Sequence, residues 1–191
     1  TVDRALVYAI MRHESQFDTE AVSSRGACGL MQIMPSTARH ISNDIPTPGR
    51  GKARCTDTLL DPETNVGMGQ KYIRILSETP MIRDNLLFLL AAYNAGPGNL
   101  ARWINSGDRS DPLLFIESLP IRETRDYVQQ VLVHYWMYQA RLSTPDSAAE
   151  DLARGKWPRY ALGSEVPTQR ADIARQGLAM ASLDSASVRG F

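Results

Sequence analysis

Apolar residues recur at helical spacing through most of the first 142 positions, and no credible alternating strand pattern interrupts them. Val2, Leu6, Ala9 and Ile10 form the first stripe, with His13 continuing it, and Asp3 supplies negative charge in the first turn of the helix they predict. Residues 15–35 lose the period and hold Ser23, Ser24, Gly26, Gly29 and Pro35, which reads as turns with a short helix. Residues 43–58 carry Pro46, Pro48, Gly49 and Gly51 and read as an exposed loop. Asp61-Pro62 then looks like an N-cap followed by proline at the first helical position. Val66, Gly69, Ile73 and Leu76 give that helix its buried stripe, with Gly69 allowing close helix approach. Asp84 is a second start signal, ahead of a run from Leu86 to Tyr93 that is apolar on every side. Leu and Ala dominate this run and β-branched residues are absent, so it predicts a central buried helix and not a strand. Gly96-Pro97-Gly98 stops it, and a short helix should carry Leu100, Trp103 and Ile104. Pro120 precedes a last long helix with Val128, Val131, Leu132, Tyr135, Tyr138 and Leu142 on one face. The predicted fold class is mainly α.

Past Leu142 the character changes. Ser, Ala, Asp, Arg and Gly dominate, and large apolar residues thin out. The expected organisation is therefore a domain over residues 1–142 and a C-terminal extension over 143–191, partly docked or disordered. Trp157, Tyr160 and Leu162 are the residues able to dock, whereas the stretch after Thr168 has only a weak helical pattern. The whole chain, 191 residues, fits one domain with a tail. Its formal net charge of +0 argues against a nucleic-acid footprint or a polybasic membrane anchor. The longest apolar run falls far short of the roughly 20 residues needed to span a bilayer. The chain begins at Thr1 and reads as a processed or excised fragment whose export signal lies elsewhere.

Candidate chemistry gathers around Arg12-His13-Glu14-Ser15-Gln16-Phe17 and Gly26-Ala27-Cys28-Gly29-Leu30-Met31-Gln32-Ile33-Met34-Pro35. Glu14 stands near the C-terminal end of the first predicted helix, where the dipole disfavours a second negative charge. Partial burial against Met31, Met34 and Tyr93 would raise its pKa further and keep a proton available near neutrality. The competing reading is a solvated helix-end carboxylate in an ordinary surface pair. Ser15 either hydrogen-bonds Glu14 or caps the turn, while Gln16 and Phe17 read as structural, with Phe17 in the core. Gly26 and Gly29 permit unusual backbone, and Gln32 offers amide donors and an acceptor. One of Met31 and Met34 is expected in the core and the other against a ligand. Tyr93 and Asn94 bring a polar tip to the end of the buried helix. Glu123 is open to three readings: second carboxylate, binder of a sugar or peptide amide, or partner of Arg122 or Arg125. Cys28 and Cys55 form no metal or redox motif, and remain either two buried thiols or one disulfide.

With Ala92-Tyr93-Asn94-Ala95-Gly96-Pro97-Gly98 and Glu123-Thr124-Arg125-Asp126-Tyr127-Val128, these blocks resemble the soluble lytic transglycosylases, lysozyme-like enzymes that cut bacterial peptidoglycan. The resemblance covers about residues 1–142. It implies a lysozyme-like domain cleaving the bond between N-acetylmuramic acid and N-acetylglucosamine with formation of 1,6-anhydro ends. Glu14 falls on the family's catalytic acid, with Ser15 and Tyr93 in support. Ser23, Gln32, Met34 and Glu123 match groove positions, Glu123 contributing to the groove and not acting as a nucleophile, and Asn94 and Tyr127 are expected to line the same groove from their places beside these blocks. Cys28 departs from the small residue usual there. The resemblance further implies no metal or organic cofactor, glycan strands as the partner, and export to the periplasm or beyond, which favours the disulfide. A goose-type lysozyme or chitinase on the same scaffold would need a water-activating carboxylate from Asp18, Glu20 or Glu123. A non-catalytic glycan-binding or scaffold module would be marked by loss of Glu14 or of the Tyr93-Asn94 block, and both are present.

Overall fold

Asp3 Oδ1 accepts a 2.8 Å hydrogen bond from the Ala5 N–H and so starts α1 (Arg4–Glu14). Asp3 is thus the N-cap, one position before the first turn it was expected to occupy. Its Oδ2 accepts from the Tyr135 hydroxyl at 3.0 Å, and its N–H donates to the Tyr160 hydroxyl at 3.2 Å. One residue therefore ties the start of α1 to two later parts of the chain. The computed structural model describes residues 1–42, 55–106, 110–144 and 147–163. The prolines and glycines of the expected 43–58 loop, and the tail after Thr168, lie outside the described residues. Val2–Leu162 packs as one compact unit. Thr1 and Gly163, the described residues of a second unit, are joined by a 2.9 Å backbone hydrogen bond.

The remaining helices follow in order: α2 (Pro35–Ile41), α3 (Asp57–Leu60), α4 (Pro62–Glu78), α5 (Leu86–Ala95), α6 (Pro97–Ser106), α7 (Pro112–Ser118), α8 (Arg122–Leu142) and α9 (Ala148–Ala153). α5 is the centre, with every side chain from Leu86 to Tyr93 buried. It packs on α4, α6 and α8, while α1 lies along α8. This arrangement matters for function because it drives the end of α1 into the interior beside the end of α5.

Several local expectations need correction. Residues 15–34 contain turns and isolated bridges and no helix; the short helix starts at Pro35, whose fixed φ suits a first helical position. Phe17 is 41% exposed with φ +69°, because the chain reverses there after α1 and turns its ring outward. Asn85, not Asp84, caps α5, its Oδ1 accepting from the Phe88 N–H at 3.1 Å. Asp84 instead takes the left-handed conformation, φ +41°, that Asp tolerates better than most residues. α3, α7 and α9 are too short to show a period, although Asp111-Pro112 repeats the start signal of Asp61-Pro62.

Beyond α8, residues 157–160 strap the start of α5. The Leu86 N–H donates to Pro158 O at 3.0 Å, and the Tyr160 N–H donates to Asp84 O at 2.7 Å. The Trp157 ring packs 5.1 Å from Phe88 and 5.6 Å from Phe115. No helix among the described residues is long and apolar enough to cross a membrane.

Gly69 is where α4 meets the turn that follows α1. A methyl group there would lie 2.2 Å from the Met31 sulfur and 3.0 Å from its Cβ. Overpacking of this kind costs about 1–3 kcal/mol, more than the roughly 1 kcal/mol that alanine gains over glycine in a helix. Gly67, on the same helix, has open space around it. Urea unfolding should therefore show Gly69→Ala lowering the midpoint and Gly67→Ala raising it. Equal shifts for the two would refute the close packing of Met31 on α4.

Candidate active site

Glu14 is the last residue of α1, and the chain reverses directly after it through Gln16 and Phe17, both with positive φ. The buried Ser15 hydroxyl lies 3.1 Å from the Met11 carbonyl and 2.9 Å from the Leu30 carbonyl, and accepts from the Phe17 N–H. Ser15 thus stitches the end of α1 to the next turn, the capping role that its type favours.

That turn, residues 21–34, forms one wall. Asn65, fully buried on α4, holds it with three hydrogen bonds: it accepts from the Met31 N–H at 2.7 Å and donates to the Cys28 and Leu59 carbonyls at 2.8 and 2.7 Å. Gly29, at φ +69°, leaves the room that the Asn65 amide needs; a Cβ there would lie 2.6 Å from it. Cys28 and Cys55 are joined by a disulfide with a Cα–Cα distance of 5.7 Å. Closing a loop of this sequence separation stabilises by about 3.5 kcal/mol in the chain-entropy description. Gln32 directs its amide nitrogen to the carbonyls of Ala21 and Gly29, at 3.0 and 2.9 Å. Its donors therefore serve the wall, leaving its carbonyl oxygen for the groove. Met31 is fully buried, whereas Met34 is 37% exposed and faces the groove.

The floor and opposite wall come from α5 and α8. The Tyr93 hydroxyl donates to Met31 O at 3.0 Å and makes no hydrogen bond to Glu14. Its ring packs 5.4 Å from Tyr72. Asn94 lines the groove and accepts from the Thr124 hydroxyl at 2.7 Å. Tyr127, expected at the groove surface, is instead buried, stacked on Tyr93 at 6.5 Å and meeting the His13 ring edge-on at 4.8 Å. Glu123 pairs with neither neighbouring arginine. It joins Arg25 across the groove at 3.0 Å, while Arg122 reaches Asp126 and Arg125 donates to the carbonyls of Glu117 and Leu119.

Together these walls enclose a groove of about 540 Å³ lined by Glu14, Ser23, Gln32, Met34, Tyr93, Asn94 and Glu123 among others. Asp18 and Glu20 do not line it. Burial raises the Glu14 pKa from 4.5 to about 8, opposed by the Tyr127 hydroxyl and helped by the charge of Glu123. That hydroxyl is buried and falls short of completed hydrogen-bond geometry, so its restraint on the proton is partial. Burial, and then the neighbouring His134, also lower the His13 pKa. The site thus holds a protonated carboxyl at neutral pH in a cleft large enough for sugar rings. Reading the sequence alone missed Ser24, Arg25, Thr37 and Tyr72 in the lining, and Asn65 behind it. Asn65 had a signal: it stands four positions before Gly69, a polar residue heading the apolar stripe.

The raised pKa has a consequence for stability. Between about pH 4.5 and 8 folded Glu14 keeps a proton that the unfolded chain releases. Stability therefore falls as pH rises through that window. Glu14→Gln removes this loss, so its stability advantage over the unaltered chain should grow by more than about 1 kcal/mol from pH 5 to pH 8. Paired urea titrations at the two pH values check this, and a constant difference would mean Glu14 titrates normally.

Comparison with known proteins matches the family model described as the transglycosylase SLT domain to residues 1–115. The soluble lytic murein transglycosylase of Escherichia coli (strain K12) is 41% identical over 140 residues, which is 72% of this chain and 21% of that protein. Its counterpart in Salmonella typhimurium is 37% identical over 160 residues, 83% of this chain and 23% of that one. The crystal structure of the 70 kDa soluble lytic transglycosylase from Escherichia coli superposes with a TM-score of 0.66 at 38% identity, over 84% of this chain and 25% of that one. An inactive Glu→Gln mutant of the lytic transglycosylase Slt from Pseudomonas aeruginosa gives 0.64 at 34% identity, over 74% and 22%. The chain therefore spans only about a fifth to a quarter of the length of these relatives. Sequence and mainly α, lysozyme-like architecture agree: this chain belongs to the transglycosylase SLT domain family.

Proposed function

We propose that this chain cleaves the β-1,4 bond between N-acetylmuramic acid and N-acetylglucosamine in peptidoglycan strands, as a lytic transglycosylase with Glu14 as its only acid and base. The observation that carries this reading is a single carboxyl group, held protonated to about pH 8, in a groove whose other carboxylate, Glu123, is exposed and paired. The relatives that carry the name lytic murein transglycosylase support it.

The reaction balances without water. Glu14 gives its proton to the glycosidic oxygen as the bond to the anomeric carbon breaks. The sugar's own 2-acetamido oxygen meets the developing cation, which removes the need for a second carboxylate. Glu14, now charged and poorly solvated, takes the proton of the muramic 6-hydroxyl. That oxygen closes on the anomeric carbon, the acetamido group departs, and a 1,6-anhydro ring remains. Met34 supplies apolar contact for a ring face, while the carbonyl of Gln32 and the amide of Asn94 supply polar contact. The periplasm or another exported compartment is the site of action that this substrate requires, and it suits the disulfide. A hydrolase would need a carboxylate to position water. Asp18 and Glu20 stand outside the groove lining, and Glu123 is engaged by Arg25.

Mass spectrometry of muropeptides released from purified peptidoglycan tests the function. Products should lack one water relative to hydrolytic ones, and products ending in reducing muramic acid would replace this reading with the lysozyme one. Glu14→Gln keeps the shape of the side chain and should lower turnover by at least ~10²-fold while remaining folded.

Residues 1–142 hold every group assigned a role here, so the strap of residues 157–160 serves as a brace. Ending the chain after Leu142 removes Trp157 and Tyr160 from the start of α5 and should lower the melting temperature. Specific activity of the folded fraction should persist. A folded but inactive truncation would place part of the groove's support in the strap.

A further inference from the structure

Arg25 is the one cationic side chain lining the groove among the described residues. It sits at the tip of a turn that Ser23 pins: the Gly26 N–H donates to Ser23 O at 2.8 Å and the Ala27 N–H to Ser23 Oγ at 2.9 Å. Its backbone is held while its side chain is 77% exposed. The guanidinium reaches Glu123 with two roughly parallel contacts, Nη2 to Oε2 at 3.0 Å and Nη1 to Oε1 at 3.5 Å. This is the fork geometry in which arginine reads a carboxylate. The Glu123 side chain is itself 57% exposed. Water and salt screen such a pair, so it holds little net free energy, and exchanging one carboxylate for another costs little.

We propose that Arg25 is a specificity residue that takes a carboxylate of the bound glycan strand, exchanging Glu123 for it. The proposal rests on the function argued above, and the groups of this kind in peptidoglycan are the carboxylates of its stem peptides or, only on strands without peptides, the lactyl carboxylate of muramic acid, which is otherwise bound as the amide to the peptide. The exchange couples recognition to chemistry. Arg25 normally offsets the charge of Glu123; once Arg25 turns to the substrate, that charge stands uncompensated near Glu14. An uncompensated neighbour of like charge favours the protonated acid. A strand carrying carboxylates thereby helps keep its own proton donor loaded.

The test compares purified peptidoglycan strands with the same strands after their carboxylates are converted to methylamides. The unaltered chain should lose about tenfold in kcat/KM on amidation, the scale of one charge-assisted fork in an open groove. Arg25→Ala should show that loss already on untreated strands and little further fall on amidated ones, so the ratio between the two substrates collapses. Arg25→Lys keeps the charge without the fork and should fall between. Strands stripped of peptides by an amidase lose the stem-peptide carboxylates and expose the lactyl carboxylate: dependence on Arg25 that vanishes assigns the stem peptide, and dependence that persists shows that the newly exposed lactyl carboxylate is taken as well. An equal loss on untreated and amidated strands in Arg25→Ala, or no effect of amidation on the unaltered chain, would overturn the proposal and leave the function standing. Failure of the unaltered chain to cleave any strand would overturn the function and this inference with it.

Discussion

Moving a carboxylate out of water costs several kcal/mol, and a protein meets that cost most simply by leaving the group protonated. The packing around Glu14 depends on this. α1 runs along α8, and its last residue is half-buried in the groove it shares with Tyr93 of α5, with less water around it than a surface glutamate would have. Burial dominates the resulting pKa of about 8, with Glu123 adding to it and Tyr127 opposing it. The negative end of the α1 dipole works in the same direction as burial. A proton retained at neutral pH is thus a by-product of how the helices pack.

A buried acid is useful only if a substrate can approach it, and the approach depends on an irregular wall. Residues 21–34 have almost no secondary structure of their own, yet many of their backbone polar groups are hydrogen-bonded. Asn65 answers two of them and ties the turn to the Leu59 carbonyl, Gln32 answers two, and Ser15 and Ser23 engage others. The disulfide closes the same turn from the side of α3. Side chains that look like ligand contacts in sequence are therefore partly consumed as scaffold. Gln32 and Tyr93 illustrate this: each lines the groove, and each spends its donor on a main-chain carbonyl.

Charge is distributed with the same economy. Glu14 is half-buried and Glu123 exposed, and the two carboxylates share a groove while their solvation differs. Arg25 holds Glu123 in an exposed pair, the contact that the proposed exchange would open. His13 packs against Tyr127 with its pKa lowered by burial, which favours the uncharged ring.

Periodicity alone determined the long helices, because 3.6-residue spacing of apolar groups is a local property and survives without knowledge of partners. The all-apolar run of α5 marked it as central, Asp61-Pro62 marked the start of α4, and Trp157 and Tyr160 marked the docking strap. Glu14 was legible as a candidate from its place at a helix end and from the family pattern. Tertiary structure decided the rest, since each remaining feature joins residues far apart in the chain. Arg25 meets Glu123 across 98 positions, and Met31 is held by Asn65 across 34. Phe17 looks like core by composition, but a reversal of the backbone turns it outward. Tyr127 looks like groove by motif, but the packing of α1 along α8 seals it beneath His13. A sequence can announce which side chains are apolar or ionisable; which of them lose their water, and in whose company, is settled only when helices pack.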